Sequence, residues 1–266
     1  MKPVTLSLVV LLLFAAAGAF AQPAGFEKVL FPIVIHPLQQ TPGAFGTSWV
    51  TDVSVLNAGD VPVPLAGVYS CFMCPTAQPL QSGVTYGIAP ASPAGNLGGS
   101  FLFVDSRYAA QLRFGLRVRD VSRDADGFGV EVPVVRAGDF RGDGISLLGI
   151  PNQANLRLTL RLYALDSAAG QVLVRIFEQR KQVIIHESSQ LAADALVAER
   201  SVTLGAPSSE LDAANYPAYA QVADLPMPPT PLARIDIVPL TPGMRIWAFA
   251  SATNNTTQQV TVISPN

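Results

Sequence analysis

Two stretches of the chain decide the fold. Arg113–Val135 reads RFGLRVRDVSRDADGFGVEVPVV, and Arg245–Pro265 reads RIWAFASATNNTTQQVTVISP. Each contains a run of strand-forming residues, a polar turn and a second such run, which is typical of a β-hairpin. Because the pattern recurs about 130 residues later, the sequence predicts a duplicated all-β unit.

A second strand pair precedes this hairpin in each half. Ser48–Leu56 alternates and is followed, after a polar turn, by Val61–Tyr69; Leu158–Tyr163 and Gln171–Phe177 stand in the same relation. We therefore predict two hairpins in each half. Roughly six to eight short strands per half indicate two tandem immunoglobulin-like antiparallel β-sandwich domains, at residues 22–138 and 139–266.

The first strands of the two closing hairpins have different patterns. Arg113–Val121 alternates between an apolar face and a basic face, as in a sheet that is packed on one side only. Arg245–Thr253 is apolar on both faces. This strand is therefore expected to be central in its sheet or to face the other domain.

One segment, Ser189–Glu199, has a helical pattern, because a serine cap precedes a run of Leu, Ala and Val. An extended connection over the same residues remains open.

Residues 1–21 are typical of a cleaved signal peptide. A positive start is followed by an apolar run and then by a small-residue cleavage site, with the cut between Ala21 and Gln22. The run is too short for a retained membrane span. We expect a secreted or periplasmic protein whose mature form does not insert into a membrane.

Charge excludes some partners. Removal of Lys2 with the leader leaves 16 basic and 19 acidic residues, so there is no electrostatic basis for binding nucleic acid or an anionic membrane.

The two cysteines, Cys71 and Cys74, are expected to form a disulfide in an oxidising compartment, stabilising the protein by roughly 2 kcal/mol. A thioredoxin-like pair would need a helix N-terminus at the first cysteine, whereas here a β run precedes it. Zinc would need two further ligands, and neither another Cys-x-x-Cys nor a nearby His is present.

The first closing hairpin is rich in acidic residues, namely Asp120, Asp124, Asp126 and Glu131. Aligned on a calcium loop, however, the pattern puts Ser122 at position 1 and Pro133 at position 12. An Asp-Gly hairpin turn is the favoured interpretation, and no metal site is predicted.

Catalytic patterns are sparse. Only His36 and His186 could act as an imidazole base. The tripeptide Gly46–Ser48 resembles the nucleophile tripeptide of subtilisin-like proteases. In those enzymes the serine begins a helix, whereas here a strand follows. A glycoside hydrolase remains open, because its two carboxylates leave no local signature. No catalytic or cofactor-binding residue is assigned, and no cofactor is predicted.

Three surface motifs have only weak functional meaning. Arg141–Asp143 is the Arg-Gly-Asp tripeptide, and Asn254 and Asn255 begin glycosylation sequons. Tyrosines could form a sugar platform, although positions in the core or at its rim are favoured for most of them. These are Tyr69, Tyr86, Tyr108, Tyr216 and Tyr219.

Gly46–Asn57, Leu148–Asn152 and Pro242–Asn254 together resemble uncharacterised secreted bacterial proteins with tandem immunoglobulin-like β-sandwich domains. The resemblance implies the fold and export, and no site residue. We expect a non-catalytic binding, adhesion or envelope-structural module whose partner is an extracellular or envelope protein or a glycan. The alternatives are a secreted carbohydrate-binding protein and a glycoside hydrolase. Function is expected in the unrepeated stretches Tyr69–Gly99 and Ile184–Pro231.

Overall fold

A computed structural model of the 266-residue chain describes residues 25–35, 41–63, 68–69, 79–88, 98–122, 127–179, 193–207 and 215–265. These residues form an all-β protein, as predicted. The only helices among them are single 3-10 turns at Ala44–Gly46, Ala109–Gln111 and Ala137–Asp139.

The described strands of the first half are β1 (Phe26–Phe31), β2 (Thr41–Pro42), β3 (Ser48–Asn57), β4 (Val68–Tyr69), β5 (Thr85–Ile88), β6 (Ser100–Asp105), β7 (Leu112–Asp120), β8 (Val130–Glu131) and β9 (Val135–Arg136). Those of the second half are β10 (Ile145–Pro151), β11 (Leu156–Ala164), β12 (Gly170–Glu178), β13 (Ala195–Leu204), β14 (Tyr219–Val222), β15 (Leu232–Pro239), β16 (Ile246–Asn254) and β17 (Val260–Ile263).

These strands form four antiparallel sheets. Sheet I has the order β4-β6-β1-β9, and sheet II has the order β2-β3-β7-β8, with β5 also paired to β3. Sheet III has the order β14-β11-β16-β17, and sheet IV has the order β10-β15-β12-β13. Each sheet takes its strands from one half of the chain only. The boundary predicted between residues 138 and 139 lies between β9 and β10, and it remains a prediction.

The two halves repeat the same strand pairing. The order β1-β6-β4 in sheet I corresponds to β10-β15-β12 in sheet IV, and β3-β7-β8 in sheet II corresponds to β11-β16-β17 in sheet III. The edge strands β5 and β14 also occupy matching places. In neither half does the first strand pair with the second, so the order differs from that of an immunoglobulin constant domain.

Both closing hairpins are confirmed. Strands β7 and β8 pair through Arg117↔Glu131 and Val118↔Val130, and β16 pairs with β17. The two opening hairpins were wrong. Strands β3 and β4 lie in different sheets, as do β11 and β12, because each connection crosses from one layer of its sandwich to the other.

The helix considered for Ser189–Glu199 is wrong over its described part. Strand β13 begins at Ala195 and pairs with β12, as in Arg175↔Glu199. Cross-strand hydrogen bonding here outweighs the modest helix propensity of the sequence. The open alternative, an extended segment, is what the structure has.

Strand β16 is central in sheet III and buried on both faces, as its sequence predicted. Ala248 and Ala250 face the core between sheets III and IV, together with Leu160 and Leu162 of β11. Trp247 and Phe249 point the other way, into the core of the first half. Sheet III therefore packs against its own partner sheet and also against the other half.

The contact between the halves is tight and includes buried polar groups. The fully buried Tyr163 hydroxyl donates a hydrogen bond of 2.6 Å to the carbonyl oxygen of Pro32. The buried Lys28 ammonium donates to the carbonyl oxygen of Leu165 at 3.1 Å and lies 3.8 Å from the Asp166 carboxylate. The halves thus share part of one core, which fixes the grooves between them.

Candidate functional site

The candidate site is a groove of about 450 Å³ between the two closing hairpins, which we call the hairpin groove. One wall is the edge of sheet II around β8, and the other is the turn that leads into β17, at the edge of sheet III. The lining residues are Trp49, Val118, Asp120, Gly127, Gly129, Val130, Glu131, Thr257, Gln258, Gln259 and Val260.

Two residues beside this groove have an uncommon backbone conformation. Phe45 (φ 59°) and Gln258 (φ 60°) are the only non-glycine residues with positive φ in the described chain. Such conformations cost of order 1–3 kcal/mol each and cluster at functional sites. Phe45 comes from the first half and Gln258 from the second, so both halves place a strained residue at the same point.

Arg157 of β11 connects these two residues. Its guanidinium lies 5.0 Å from the centre of the Phe45 ring, which is within cation–π distance. Its Nη1 donates to Asn255 Oδ1 at 2.7 Å and its Nη2 donates to Gln258 Oε1 at 2.9 Å. Gln258 Nε2 in turn donates to the Asn255 carbonyl oxygen at 2.6 Å. This network fixes the second wall of the groove.

One aromatic ring lines the groove, and two more lie on segments beside it. Trp49 lines it and is anchored by a 2.9 Å hydrogen bond from its indole N–H to Thr47 Oγ1. Phe45 is 62% exposed, and Phe128, between two lining glycines, is 82% exposed. Exposed rings beside a concave surface indicate a place where a ligand binds.

Sequence reasoning missed these rings because it considered tyrosines. Tyr216 is buried, while Tyr86, Tyr108 and Tyr219 are half-buried and lie on separate elements. These four positions confirm the favoured interpretation of core or rim residues, and nothing is described of the Tyr69 side chain. Both exposed phenylalanines directly precede a glycine, but so does Phe114, which packs against the core, so the sequence held no usable signal for them.

The groove's acidic residues are engaged within the protein. Asp120 Oδ1 accepts hydrogen bonds of 3.0 Å from the backbone N–H groups of Ser48 and Ser122. Glu131 forms an ion pair of 3.4 Å with Arg117. Asp124 and Asp126 lie outside the described residues, and the described part of the chain contains no cluster of potential metal ligands.

The Arg-Gly-Asp tripeptide is exposed. The backbone of Arg141 exchanges hydrogen bonds of 2.8 Å with that of Ile246, so this loop is attached to β16. It borders a second groove of about 520 Å³, whose lining includes Asp139, Leu148 and Trp247.

The sequon asparagines are also engaged. Asn254 Oδ1 accepts from the backbone N–H groups of Thr256 and Thr257, and Asn255 accepts from Arg157 as described above. Several sequence-predicted sites lie outside the described residues: Cys71, Cys74, Ala21, Gln22, His36 and His186.

Of the unrepeated stretches where function was expected, Tyr69–Gly99 lies largely outside the described residues, whereas most of Ile184–Pro231 is described and contributes no residue to the hairpin groove. The hairpin groove lies instead between the two repeated hairpins, because the halves pack so that these hairpins face one another.

No protein-family model, curated protein or solved structure matches the chain. No helix in the described ranges is long and apolar enough to cross a membrane.

Proposed function

We propose that this chain is an exported, non-catalytic binding or adhesion module built from two tandem β-sandwich domains. Each domain is immunoglobulin-like in having two packed antiparallel sheets, although its strand order differs from that of an immunoglobulin constant domain. The leader-like residues 1–21 and the resemblance to secreted bacterial proteins support export. The hairpin groove supports binding.

The observation that carries the proposal is the exposure of Phe45 and Phe128 beside the groove that Trp49 lines. A folded protein normally buries rings of this size, because each contributes roughly 1.5–3 kcal/mol of hydrophobic stabilisation when buried. Phe45 is both exposed and held at positive φ. An exposed ring held in this way supports ligand contact as its role.

The test compares binding by three forms of the mature chain, residues 22–266. We expect the wild type to bind immobilised envelope proteins or glycans, and Phe45→Asn/Phe128→Ser to bind at least tenfold more weakly. Leu196→Ser is the matched control, because Leu196 is 54% exposed on β13, away from the groove. Equal binding by all three forms, or no binding by any, would contradict the proposal.

Export is tested separately by expressing the full chain in a bacterial host. We expect an extracytoplasmic protein whose N-terminal residue is Gln22, with Cys71 and Cys74 inaccessible to alkylation until they are reduced. An uncut cytoplasmic product would contradict export. Alkylation without reduction would contradict the disulfide.

A glycoside hydrolase is the second candidate, because Asp120 and Glu131 line the same groove. Such an enzyme needs one carboxyl group that keeps its proton and one that does not. Here Asp120 accepts hydrogen bonds from two backbone N–H groups and Glu131 pairs with the Arg117 guanidinium, so both carboxylates are already engaged within the protein. Release of reducing sugar that disappears in Glu131→Gln would establish the hydrolase instead.

A further inference from the structure

We propose that the hairpin groove binds a neutral polysaccharide strand. This inference rests on the proposed function and specifies the ligand class of the same site. A pyranose ring has an apolar C–H face and a periphery of hydroxyl groups. Its site therefore needs aromatic faces together with uncharged hydrogen-bonding groups.

The aromatic faces are held in place. Trp49 is fixed by its bond to Thr47, and Phe45 by its contact with Arg157 and by a backbone conformation that is costly for phenylalanine. Rigid aromatic side chains offer a large contact area at a low cost in conformational entropy. Aromatic faces held in this way suit a ligand that stacks on them.

No Lys or Arg is among the described residues that line the groove, and its two carboxylates already have partners within the protein, which favours a neutral ligand. Arg157 is bonded to two side-chain amides, Glu131 to Arg117, and Asp120 to two backbone N–H groups. A site for an anionic glycan would instead present a guanidinium or ammonium that is available to the ligand.

Uncharged polar groups remain available at the rim. Thr257 and Gln259 are exposed, so the Gln259 side-chain amide is accessible to a ligand. An amide both donates and accepts, which suits vicinal hydroxyl groups.

The sheet edges disfavour an extended peptide as the ligand. A peptide that adds a strand gains affinity from main-chain hydrogen bonds along an open edge. Here β8 provides only Val130–Glu131 and β17 only Val260–Ile263. Such short edges are typical of protected ones, so the side chains provide most of the recognition surface.

The test is a glycan array of neutral and uronic-acid polysaccharides, followed by calorimetric titration of the mature chain with the best neutral oligosaccharide. We expect saturable binding that weakens at least tenfold in Phe128→Ser and in Phe45→Asn and is unchanged in Leu196→Ser. Melting curves verify that each variant is folded.

Three results would overturn the inference: no neutral glycan binds, uronic-acid polymers bind as well as neutral ones, or both phenylalanine variants bind like the wild type. The proposed function would survive if an envelope protein bound to the wild type and lost that binding in Phe45→Asn/Phe128→Ser. The two failures are therefore distinguishable.

Discussion

At the scale of single residues, Tyr163 shows how the two halves are joined. Its ring packs against Phe249, with centroids 6.3 Å apart, and against Trp247 at 6.0 Å, while its hydroxyl reaches Pro32 of the first half. The alternation of Leu158–Tyr163 predicted a strand. It did not predict the hydroxyl's partner, which lies 131 residues away in the sequence.

Tyr163→Phe is expected to destabilise the protein by about 1–3 kcal/mol at pH 7, because the buried Pro32 carbonyl loses its donor. Burial also raises the pKa of the Tyr163 hydroxyl well above its ordinary value of 10.0. The contribution of Tyr163 to wild-type stability is therefore fully present below pH 10. It decreases at higher pH, where this tyrosine ionises in the unfolded chain before it ionises in the folded protein.

Denaturant unfolding between pH 7 and 11 measures both effects. The variant should show a shallower alkaline decline, though not a flat one, because burial also raises the pKa of Tyr219. An equally steep decline in the variant would contradict this account of Tyr163.

Lys28→Met tests the buried ammonium. Burial lowers the pKa of Lys28 below 10.5, and the nearby Asp166 partly offsets this. Wild-type stability should therefore rise with pH between the lowered pKa and 10.5, where only the unfolded state is protonated. We expect the variant to lose this rise. At pH 7 its free energy of unfolding should change by about 1 kcal/mol or less, because relief of the ammonium's desolvation cost offsets the loss of its hydrogen bond to the Leu165 carbonyl. A loss above about 3 kcal/mol would instead indicate an essential buried ion pair.

At the scale of elements, sequence patterns identified strands well and their partners poorly. The two-sided apolar pattern of β16 predicted its central place, because both faces of a buried strand must be apolar. The predicted strand partners were wrong wherever the connection between two strands crossed from one sheet to the other. After β3, the Asn57 side chain donates to the carbonyl oxygens of Val61 and Leu80. These hydrogen bonds hold the connection that leads from β3 to the other sheet. In the sequence, such a connection has the same polar turn residues as a hairpin.

Gly129 is expected to be essential to the first closing hairpin. It has φ +68°, and an added Cβ would lie 2.3 Å from the Val118 carbonyl oxygen. Gly129→Ala should therefore destabilise the protein by about 2 kcal/mol or more. Gly138→Ala is the matched control, because its added Cβ meets nothing within 4 Å, and it should stay within about 0.5 kcal/mol of the wild type. Equal denaturation midpoints for the two variants would refute this role.

At the scale of the whole molecule, the duplication was readable from the hairpins, but the packing of the two halves was not. Packing depends on which apolar faces meet. From the sequence, Trp247 and Phe249 could have packed within their own domain or against the other one. The candidate groove was unpredictable for the same reason: its walls lie more than a hundred residues apart and face each other only after the halves dock.

A shared core should make the mature chain unfold as one unit. Scanning calorimetry is expected to give a single transition whose calorimetric and van't Hoff enthalpies agree, although a chain of this size often unfolds domain by domain. Two separate transitions would mean that the contact through Tyr163 and Phe249 is too weak to couple the halves.

Hydrogen exchange of the mature chain, with and without the neutral glycan selected on the array, tests the central claim most directly. The account predicts slower exchange in two places at once: 127–131 in the first half and 257–260 in the second. Protection confined to one half, or located away from both hairpins, would contradict a binding groove that the two halves build together.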